Sequence, residues 1–350
     1  MKVMMRVIAG LLLLALIAGG GVLFLKGLRS LDEPVSLRGA LIFTVQPKSS
    51  FARVASELAA QGVIVQPRAW VWYARFKGLA SAVKAGEYQI EPGITPRELL
   101  SKMVSGQVLL HAFTIVDGWR VADLLEALRR HPDLKVSLPQ APLATLGPKI
   151  MQLLGAPGVE IEGQFLPETY KFISGTTDIE VLRQAHTALQ RELNLAWTDR
   201  AMDIPLHNAD ELLIMASIVQ KESGVPQELA KIAGLYLHRL SIGMRLQADP
   251  TVIYGLGELY DGDIHAVDLR ADGPYNTYTR AGLPPTPIAL AGAAVIRATA
   301  HPQKTDALYF VASTKGDGTH VFSATLEEHN IAVAAYVAHL RQKPAVQGVR

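Results

Sequence analysis

Apolar residues occur in this chain as one unbroken run at the N-terminus and, beyond it, at the periodic spacings of helices and strands. The run covers the nineteen uncharged residues 7–25, a length that in an α-helix spans most of a ~30 Å hydrocarbon core. A cleaved signal peptide would have a shorter apolar region and a small-x-small cleavage site. The pattern therefore predicts an uncleaved transmembrane helix at 7–25, preceded by a tail at 1–6 and followed by a polar linker at 26–39.

The orientation of this helix depends on a small difference in charge. Lys2 and Arg6 precede the run and Lys26 and Arg29 follow it, so the positive-inside rule is nearly tied. The free amino group adds one charge on the N-terminal side. We therefore expect the tail in the cytoplasm and the large remainder of the chain outside it.

A second pattern, a short strand followed by an amphipathic helix, occurs three times after the linker. The copies begin at Phe43, Tyr88 and Phe113, and in each a turn leads to apolar residues at i, i+3 and i+4. This repetition predicts small mixed α/β structure over 40–135.

The second half of the chain is predicted to be mainly helical, with a strand hairpin around TKGDG near its end. Pro226 and Gly243 delimit one helix, and Thr286 and Pro302 delimit another. Asp249 is predicted to be the N-cap of a short helix between them. Helices and short strands in this proportion indicate a mixed α+β fold.

The composition excludes several classes of function. The 350 residues include 34 Lys+Arg and 32 Asp+Glu, and no basic tract is interleaved with aromatics, so nucleic acid is not an expected partner. There is no cysteine, which excludes a disulfide framework and a thiol nucleophile. No paired histidines, Gly-rich phosphate loop or GxSxG stands out, so we expect no metal and no cofactor.

The segment ADELLIMASIVQKESG, residues 209–224, carries a glutamate on the apolar side of its helix. On a helical wheel Glu222 falls between Ile218 and Met215. Burial would raise the pKa of this carboxyl, and a helix that ends with Gly224 at C′ would add the negative end of its dipole. A carboxylic acid that stays protonated near neutral pH is what general-acid cleavage of a glycosidic bond requires. The alternative is a frayed last turn with Glu222 in water.

Other stretches offer groups that suit a sugar. Aromatic rings beside amide and hydroxyl groups can stack on sugar rings and hydrogen-bond to their hydroxyls. The candidates for holding a sugar are Glu162, Gln247, Tyr254, Tyr275, Asn276 and Tyr278.

Four stretches together, LLIMASIVQKESG, LHRLSIGMRLQADPTVIYGLG, YNTYTRAGLPPTPI and LYFVASTKGDGTHVFSATLEEHN, resemble in order and spacing the YceG-like, or MltG-type, endolytic murein transglycosylases. The upstream stretch EGQFLPETYKF is similar to another signature of that family. The resemblance covers about residues 40 to 335.

The resemblance implies a membrane-anchored enzyme of the cell wall. Members of the YceG-like family are held in the inner membrane by one N-terminal helix, with the catalytic domain on the periplasmic side. The resemblance implies a LysM-like domain at 40–107 and a YceG-like catalytic domain at 108–345. The implied activity is cleavage of the MurNAc–GlcNAc bond within nascent peptidoglycan strands, near synthases of the penicillin-binding protein class.

The resemblance also assigns the catalytic glutamate to Glu222 and adds Arg239 to the substrate-binding candidates. Many relatives have Glu-Lys-Glu where this chain has Gln220 followed by Lys221 and Glu222, so only Glu222 can carry the role. A single acid suits a lytic transglycosylase, which forms a 1,6-anhydro end.

Two alternatives stay open at this point. One is a peptidoglycan-binding membrane scaffold without chemistry. The other is a muramidase, a hydrolase that needs a second carboxylate such as Asp249 or Glu168 facing Glu222.

Overall fold

The structure, a computed structural model, describes residues 25–342, which divide into two compact units. The first contains 25–111 and 171–175, and the second contains 112–170 and 176–342. The predicted tail and all but the last residue of the predicted transmembrane helix lie outside the described residues. In the part of the chain that is described, no helix is long and apolar enough to cross a membrane.

After a helical start at residues 25–29, the first unit contains a two-stranded antiparallel sheet and three ten-residue helices. Its elements are β1 (Leu41–Val45), α1 (Phe51–Ala60), α2 (Pro67–Phe76), β2 (Gly86–Ile90) and α3 (Pro96–Ser105). Phe43 of β1 lies opposite Tyr88 of β2, and both aromatic side chains are buried. The first two predicted strand–helix copies therefore pair with each other, and their aromatic residues meet in one core. Helix α2 has no counterpart in the sequence prediction.

The predicted polar linker is partly built into the core of this unit. Leu31 and Val35 are 1% and 6% exposed. The Val35 N–H donates to the carbonyl of Ile94 at 2.8 Å, and its carbonyl accepts from the Gly93 N–H at 3.0 Å. The prediction of a linker is wrong at these positions, because their apolar side chains are removed from water and their backbone is paired.

The second unit is mainly helical. Its helices are α4 (Val121–Arg130), α5 (Leu143–Leu154), α6 (Asp178–Thr198), α7 (Ala209–Glu222), α8 (Leu229–Ser241), α9 (Asp249–Leu256), α10 (Ala266–Arg270), α11 (Ala293–Ala300) and α12 (Leu326–Gln342). Strands β5 (Tyr309–Ala312) and β6 (His320–Ser323) form the predicted antiparallel hairpin. Strands β3 (His111–Thr114) and β4 (Thr169–Phe172) form another two-stranded sheet. The fold is mixed α+β, as the sequence predicts.

Helix α7 occupies the core of the second unit and packs against α6, α8 and α11. All of its residues from Leu212 to Val219 are buried, including the polar Ser217. The Ser217 hydroxyl donates to the carbonyl of Ile214 at 2.7 Å and accepts from the Ile288 N–H at 3.0 Å. The buried hydroxyl is therefore satisfied, and it ties α7 to the loop before α11.

Two helix starts differ from the prediction. The helix expected from Thr286 begins only at Ala293, because the N–H groups of Ile288 and Leu290 donate to tertiary partners instead of to a helical ladder. Asp249 is the first residue of α9, and its N-cap is Ala248. The prediction of Asp249 as an N-cap is wrong, because its carboxylate accepts from the hydroxyl of Tyr278 instead.

Helix α7 ends at Glu222, but not through a left-handed glycine. Ser223 follows in an extended conformation with φ −147° and ψ 137°. Its hydroxyl accepts from the Val225 N–H at 3.0 Å, so a side chain turns the chain where Gly224 was expected to do so.

Candidate active site

The C-terminal end of α7 faces a cavity of about 350 Å³. Glu222 is the last residue of the helix, so the final turn is formed and not frayed. The phenol of Tyr236 in α8 donates a hydrogen bond of 2.5 Å to its Oε1 atom. The residues lining the cavity are Glu222, Tyr236, Arg239, Gln247, Asp249, Tyr278, Tyr309, Phe310, Leu326 and His329.

The surroundings of Glu222 favour its neutral form. Burial raises the pKa of this carboxyl to about 7, against the hydrogen bond from Tyr236, which lowers it. The negative charge of Asp249 raises the pKa further, and the positive charge of Arg239 lowers it. A carboxyl that is half protonated near pH 7 can both give and take a proton in one catalytic cycle.

A second carboxylate, that of Asp249, lines the same cavity. It accepts a hydrogen bond of 2.5 Å from the Tyr278 hydroxyl. Burial and the Asp249 carboxylate raise the pKa of Tyr278, so this phenol keeps its proton. Glu168, the other candidate for a second acid, does not line the cavity. Of the two carboxylates that could pair with Glu222 in a muramidase, only Asp249 therefore shares its cavity.

Two more predicted residues reach this cavity, Arg239 from α8 and Gln247 from the loop before α9. Arg239 is 6% exposed and anchored to backbone: Nε donates to the Leu308 carbonyl at 2.6 Å and Nη1 donates to the Leu246 carbonyl. Gln247 has φ 50°, in the left-handed region that a non-glycine residue seldom adopts. Backbone strain of this kind is concentrated at functional sites, where it aims a side chain.

Three predicted sugar-binding residues lie together elsewhere, at a cavity of about 670 Å³. Tyr254 and Tyr275 meet edge to face with ring centroids 4.8 Å apart, and the Tyr254 hydroxyl donates to Glu162 at 3.3 Å. Glu162 also accepts from the N–H of Val121, the first residue of α4, at 3.0 Å. Burial is the largest influence on Glu162 and raises its pKa. These side chains form a cluster of their own and do not line the Glu222 cavity.

The two cavities share two walls. Helix α9 carries Asp249 at the first and Tyr254 at the second, and the loop after α10 carries Tyr278 at the first and Tyr275 at the second.

Asn276 has a structural role in that loop. Its Nδ2 atom donates to the carbonyls of Asp268, Leu269 and Ala271 at 2.7–3.2 Å, and its Oδ1 atom accepts from the Tyr278 N–H at 2.8 Å. The side chain closes the end of α10 and fixes the backbone of Tyr278. It lines neither of the two cavities, and it fixes the backbone of Tyr278, which lines the first.

Sequence reasoning missed half of the cavity lining. Tyr236 had a usable signal, because it lies three residues before Arg239 and places a second polar group on the buried face of α8. The other four, Tyr309, Phe310, Leu326 and His329, come from β5 and α12 near the end of the chain. Only the tertiary fold brings those two elements to the end of α7. In the described part of the chain, no cluster of three or more His, Cys, Asp or Glu is arranged to hold a metal ion.

Comparison with known proteins gives consistent results over most of the chain. The model of the YceG-like family matches residues 43–335. The chain is 33% identical over 346 residues to the endolytic murein transglycosylase of Bacillus subtilis (strain 168), covering 94% of this chain and 93% of that protein. It is 26% identical over 363 residues to the endolytic murein transglycosylase of Streptococcus pneumoniae (strain ATCC BAA-255 / R6), covering 95% of this chain and 65% of that protein.

One solved structure is also similar. It is a crystal structure at 2.6 Å of a protein from Listeria monocytogenes described as YceG-like, with 27% sequence identity and a TM-score of 0.49 over 83% of this chain and 98% of that one. The family match and the identity to the Bacillus protein together decide the classification. This chain belongs to the YceG-like family.

Proposed function

We propose that this protein is an endolytic murein transglycosylase, which cleaves the MurNAc–GlcNAc bond within peptidoglycan strands and leaves 1,6-anhydro-MurNAc ends. The observation that carries the proposal is the Glu222 carboxyl, which lies in a cavity at the end of α7 with its pKa raised to about 7. The relatives named as endolytic murein transglycosylases support the same assignment.

Glu222 acts first as an acid and then as a base. Protonated, it donates to the glycosidic oxygen, and the bond from that oxygen to C1 of the muramyl residue breaks. As a carboxylate, it takes the proton of the C6 hydroxyl, whose oxygen bonds to C1 of the same sugar. One proton moves from O6 to the leaving oxygen through Glu222, and no water is consumed. Because the nucleophile belongs to the substrate, much of its entropic cost is already met.

The neighbours of Glu222 orient this proton transfer. Tyr236 holds Oε1, which leaves Oε2 for the substrate. Arg239, Gln247 and Tyr278 line the cavity and hold the sugar at the scissile bond. The separate cluster of Glu162, Tyr254 and Tyr275 contacts the strand farther from that bond.

The location of the enzyme follows from its substrate and from the N-terminal apolar run. A transmembrane helix at 7–25 anchors the chain in the inner membrane, and the catalytic domain at 108–345 works on the periplasmic side. A LysM-like domain at 40–107 lies between them. Synthases of the penicillin-binding protein class, which produce the nascent strands, are the expected protein partners.

The test is digestion of purified peptidoglycan by the full chain in detergent, with mass spectrometry of the new ends. We expect anhydro-muramyl ends from the wild type and a loss of at least about 1000-fold in Glu222→Gln, because the only general acid is gone. Glu211→Gln, at the opposite end of α7, is the matched control and should retain activity. Binding without cleavage by the wild type would replace the proposal with the scaffold.

A muramidase is the second candidate, because Asp249 shares the cavity with Glu222. A hydrolase uses such a pair to activate water or to form a covalent intermediate. Cleavage in ¹⁸O-labelled water separates the two: a muramidase incorporates label in a reducing end, and a transglycosylase does not. Asp249→Asn would abolish hydrolysis, whereas a transglycosylase that uses Glu222 alone should keep most of its activity.

A further inference from the structure

His329 lines the Glu222 cavity and has no role in the mechanism above. It lies in the first turn of α12, where the Thr325 hydroxyl accepts from the Glu328 N–H at 3.2 Å and the Thr325 carbonyl accepts from the His329 N–H at 3.1 Å. Leu326, one turn earlier on the same face, lines the cavity as well. The imidazole stacks on the ring of Tyr309 with centroids 5.2 Å apart and planes at 24°. Its position is therefore fixed by a helix start and a ring contact.

The imidazole has an unsatisfied polar atom. Nδ1 of His329 is shielded from solvent and has no hydrogen-bond partner, a condition shared among the described residues only with Nδ1 of His238. Such a group destabilises the folded state, and in a native protein it calls for an explanation such as a bound partner. A half-turn about the Cβ–Cγ bond exchanges the two edges of the ring, so either nitrogen can be turned to a ligand.

The charge state of the ring suits a neutral ligand. Burial lowers the pKa of His329, and the positive charge of Arg239 lowers it as well. Glu222 and Asp249 are the acidic groups of the same cavity. A neutral imidazole has one N–H donor and one lone pair, which match a sugar hydroxyl or an acetamido group.

We infer that His329 is a substrate-positioning residue, whose imidazole hydrogen-bonds a hydroxyl or acetamido group of the sugar that reacts at Glu222. The inference rests on the proposed function for its substrate. It adds a polar contact from α12, on the side of the cavity formed by β5 and α12. Besides His329, this side offers the phenol of Tyr309, the ring of Phe310 and the aliphatic chain of Leu326, so the imidazole is its only nitrogen group.

Three substitutions of His329 separate hydrogen bonding from packing. His329→Phe keeps a ring that can stack on Tyr309 and removes both nitrogens. His329→Asn retains a polar atom near the position of Nδ1, and His329→Gln retains one near the position of Nε2. His238→Phe is the matched control, because His238 has the same unsatisfied atom but lines a different cavity, with Leu237 and Pro302.

We expect His329→Phe to lower kcat/KM for glycan strands by about 10- to 100-fold, the loss typical of one hydrogen bond to substrate. Either the Asn or the Gln variant should recover at least about a third of the wild-type value, and His238→Phe should stay within about twofold. A second readout is binding of glycan strands to Glu222→Gln, with and without His329→Phe, and Kd should rise by a similar factor. Thermal unfolding of each variant shows that the protein is folded.

Each outcome decides a different point. If the wild type forms anhydro ends and His329→Phe cleaves and binds like it, the inference is wrong and the ring serves packing alone. If all three variants fail equally while remaining folded, packing of the imidazole is essential and hydrogen bonding is not the reason. If the wild type forms no anhydro ends, the proposed function fails independently of His329.

Discussion

The carboxyl of Glu222 has two neighbours with opposite effects on its pKa, and this allows a paired test. The hydrogen bond from Tyr236 lowers the pKa, and the charge of Asp249 raises it. Activity that needs the protonated acid should decline as pH rises through about 7 in the wild type. We expect Tyr236→Phe to move this decline to higher pH and Asp249→Asn to move it to lower pH. The measurement is kcat/KM for peptidoglycan from pH 5 to 9.

The direction of the two shifts is the decisive result, because a structural disturbance would lower activity at every pH without separating the profiles. Tyr278→Phe is a useful control, since its hydroxyl donates to Asp249 and not to Glu222. Shifts in the same direction for Tyr236→Phe and Asp249→Asn would contradict this account of the site.

The raised pKa of Glu222 also has a cost in stability. The unfolded carboxyl ionises at its ordinary, lower pKa, whereas the folded one keeps its proton up to about pH 7. Stability is therefore lost as pH rises between these values, and the loss is complete above pH 7. We expect Glu222→Gln to increase the free energy of unfolding by about 1–3 kcal/mol at pH 8 and by much less at pH 4.5. Urea unfolding at the two pH values measures the difference. An equal increase in the free energy of unfolding at both pH values would mean that better packing of the glutamine, and not the ionisation of Glu222, is the cause.

Single residues were predictable where the signal was local. The position of Glu222 on the apolar side of α7 follows from helical spacing alone, and the structure has it at the cavity. Tyr236 of α8, 14 residues further along the chain, donates a hydrogen bond to this carboxyl. His329 of α12, more than 100 residues further along, lines the same cavity. Nothing in the local pattern around His329 distinguishes it from a surface histidine.

Among the elements, α7 and α11 are joined by the residue at which this chain departs from the Glu-Lys-Glu pattern. Gln220 accepts a hydrogen bond of 3.0 Å from the N–H of Gly292, the N-cap of α11. A glutamate carboxylate at position 220 would also accept this hydrogen bond. Its interaction with the positive end of the α11 dipole would stabilise the fold by about 0.3–1 kcal/mol. Asp117 lies beside Gly292, and its charge would oppose that gain.

We therefore expect Gln220→Glu to fold with a free energy of unfolding within about 1 kcal/mol of the wild type and to keep its activity. Gln220→Leu should lose about 1–3 kcal/mol, because it leaves the Gly292 N–H without its acceptor. Urea unfolding and peptidoglycan cleavage measure both effects. A large loss of activity in the Glu variant would show that position 220 influences Glu222 in a way the hydrogen bonds do not explain.

The packing of α8 depends on a glycine. A Cβ atom on Gly234 would lie 2.1 Å from the backbone carbonyl oxygen of Gln303, whereas one on Gly224 would meet nothing within 4 Å. In a free helix Gly→Ala stabilises by about 1 kcal/mol. Here we expect Gly234→Ala to lose about 2 kcal/mol or more, and Gly224→Ala to be nearly neutral. The midpoints of urea unfolding of the two variants measure this difference. Equal midpoints would mean that the backbone at Gln303 moves aside at little cost.

Elements with periodic patterns and clear end signals were predicted, and those set by tertiary hydrogen bonds were not. The helices of the strand–helix copies, α8 and the β5–β6 hairpin follow from spacing, proline and glycine. Helix α11 starts seven residues after Thr286, because the backbone between them is bound to α7 and to Trp119. No sequence signal distinguishes a backbone N–H that will find a distant acceptor from one that will join a helix.

At the scale of the whole molecule, the fold class was predictable and the construction of the site was not. The composition and the alternation of short strands with helices led to a mixed α+β fold. The two cavities, in contrast, depend on how α9 and the loop at 275–278 divide the space between them. Those residues looked like one sugar-binding group along the sequence, and the fold separates Tyr254 and Tyr275 from Tyr278.

The start of the folded chain can be located by truncation. Residues 25–29 are helical, Leu28 packs on the core of the first unit, and Leu31 is 1% exposed within it. Burial of one leucine side chain contributes about 1.5–3 kcal/mol. The segment next to the predicted membrane helix is thus part of a folded unit, and a soluble fragment that omits it should be weakened.

We expect a fragment of residues 33–350 to unfold with a free energy lower by about 2–3 kcal/mol than a fragment of residues 25–350. Leu31→Ala in the longer fragment should reproduce most of that loss, whereas Asp32→Ala should not, because the ion pair of Asp32 with Arg97 is exposed and worth little. Urea unfolding followed by tryptophan fluorescence, in fragments whose Trp119 and Trp197 of the second unit are replaced by phenylalanine, reports this unit, because Trp70 is fully buried in its core. Equal midpoints for the two fragments would mean that the core closes without Leu31, and that a flexible connection of 26–39 separates the membrane helix from the folded chain after all.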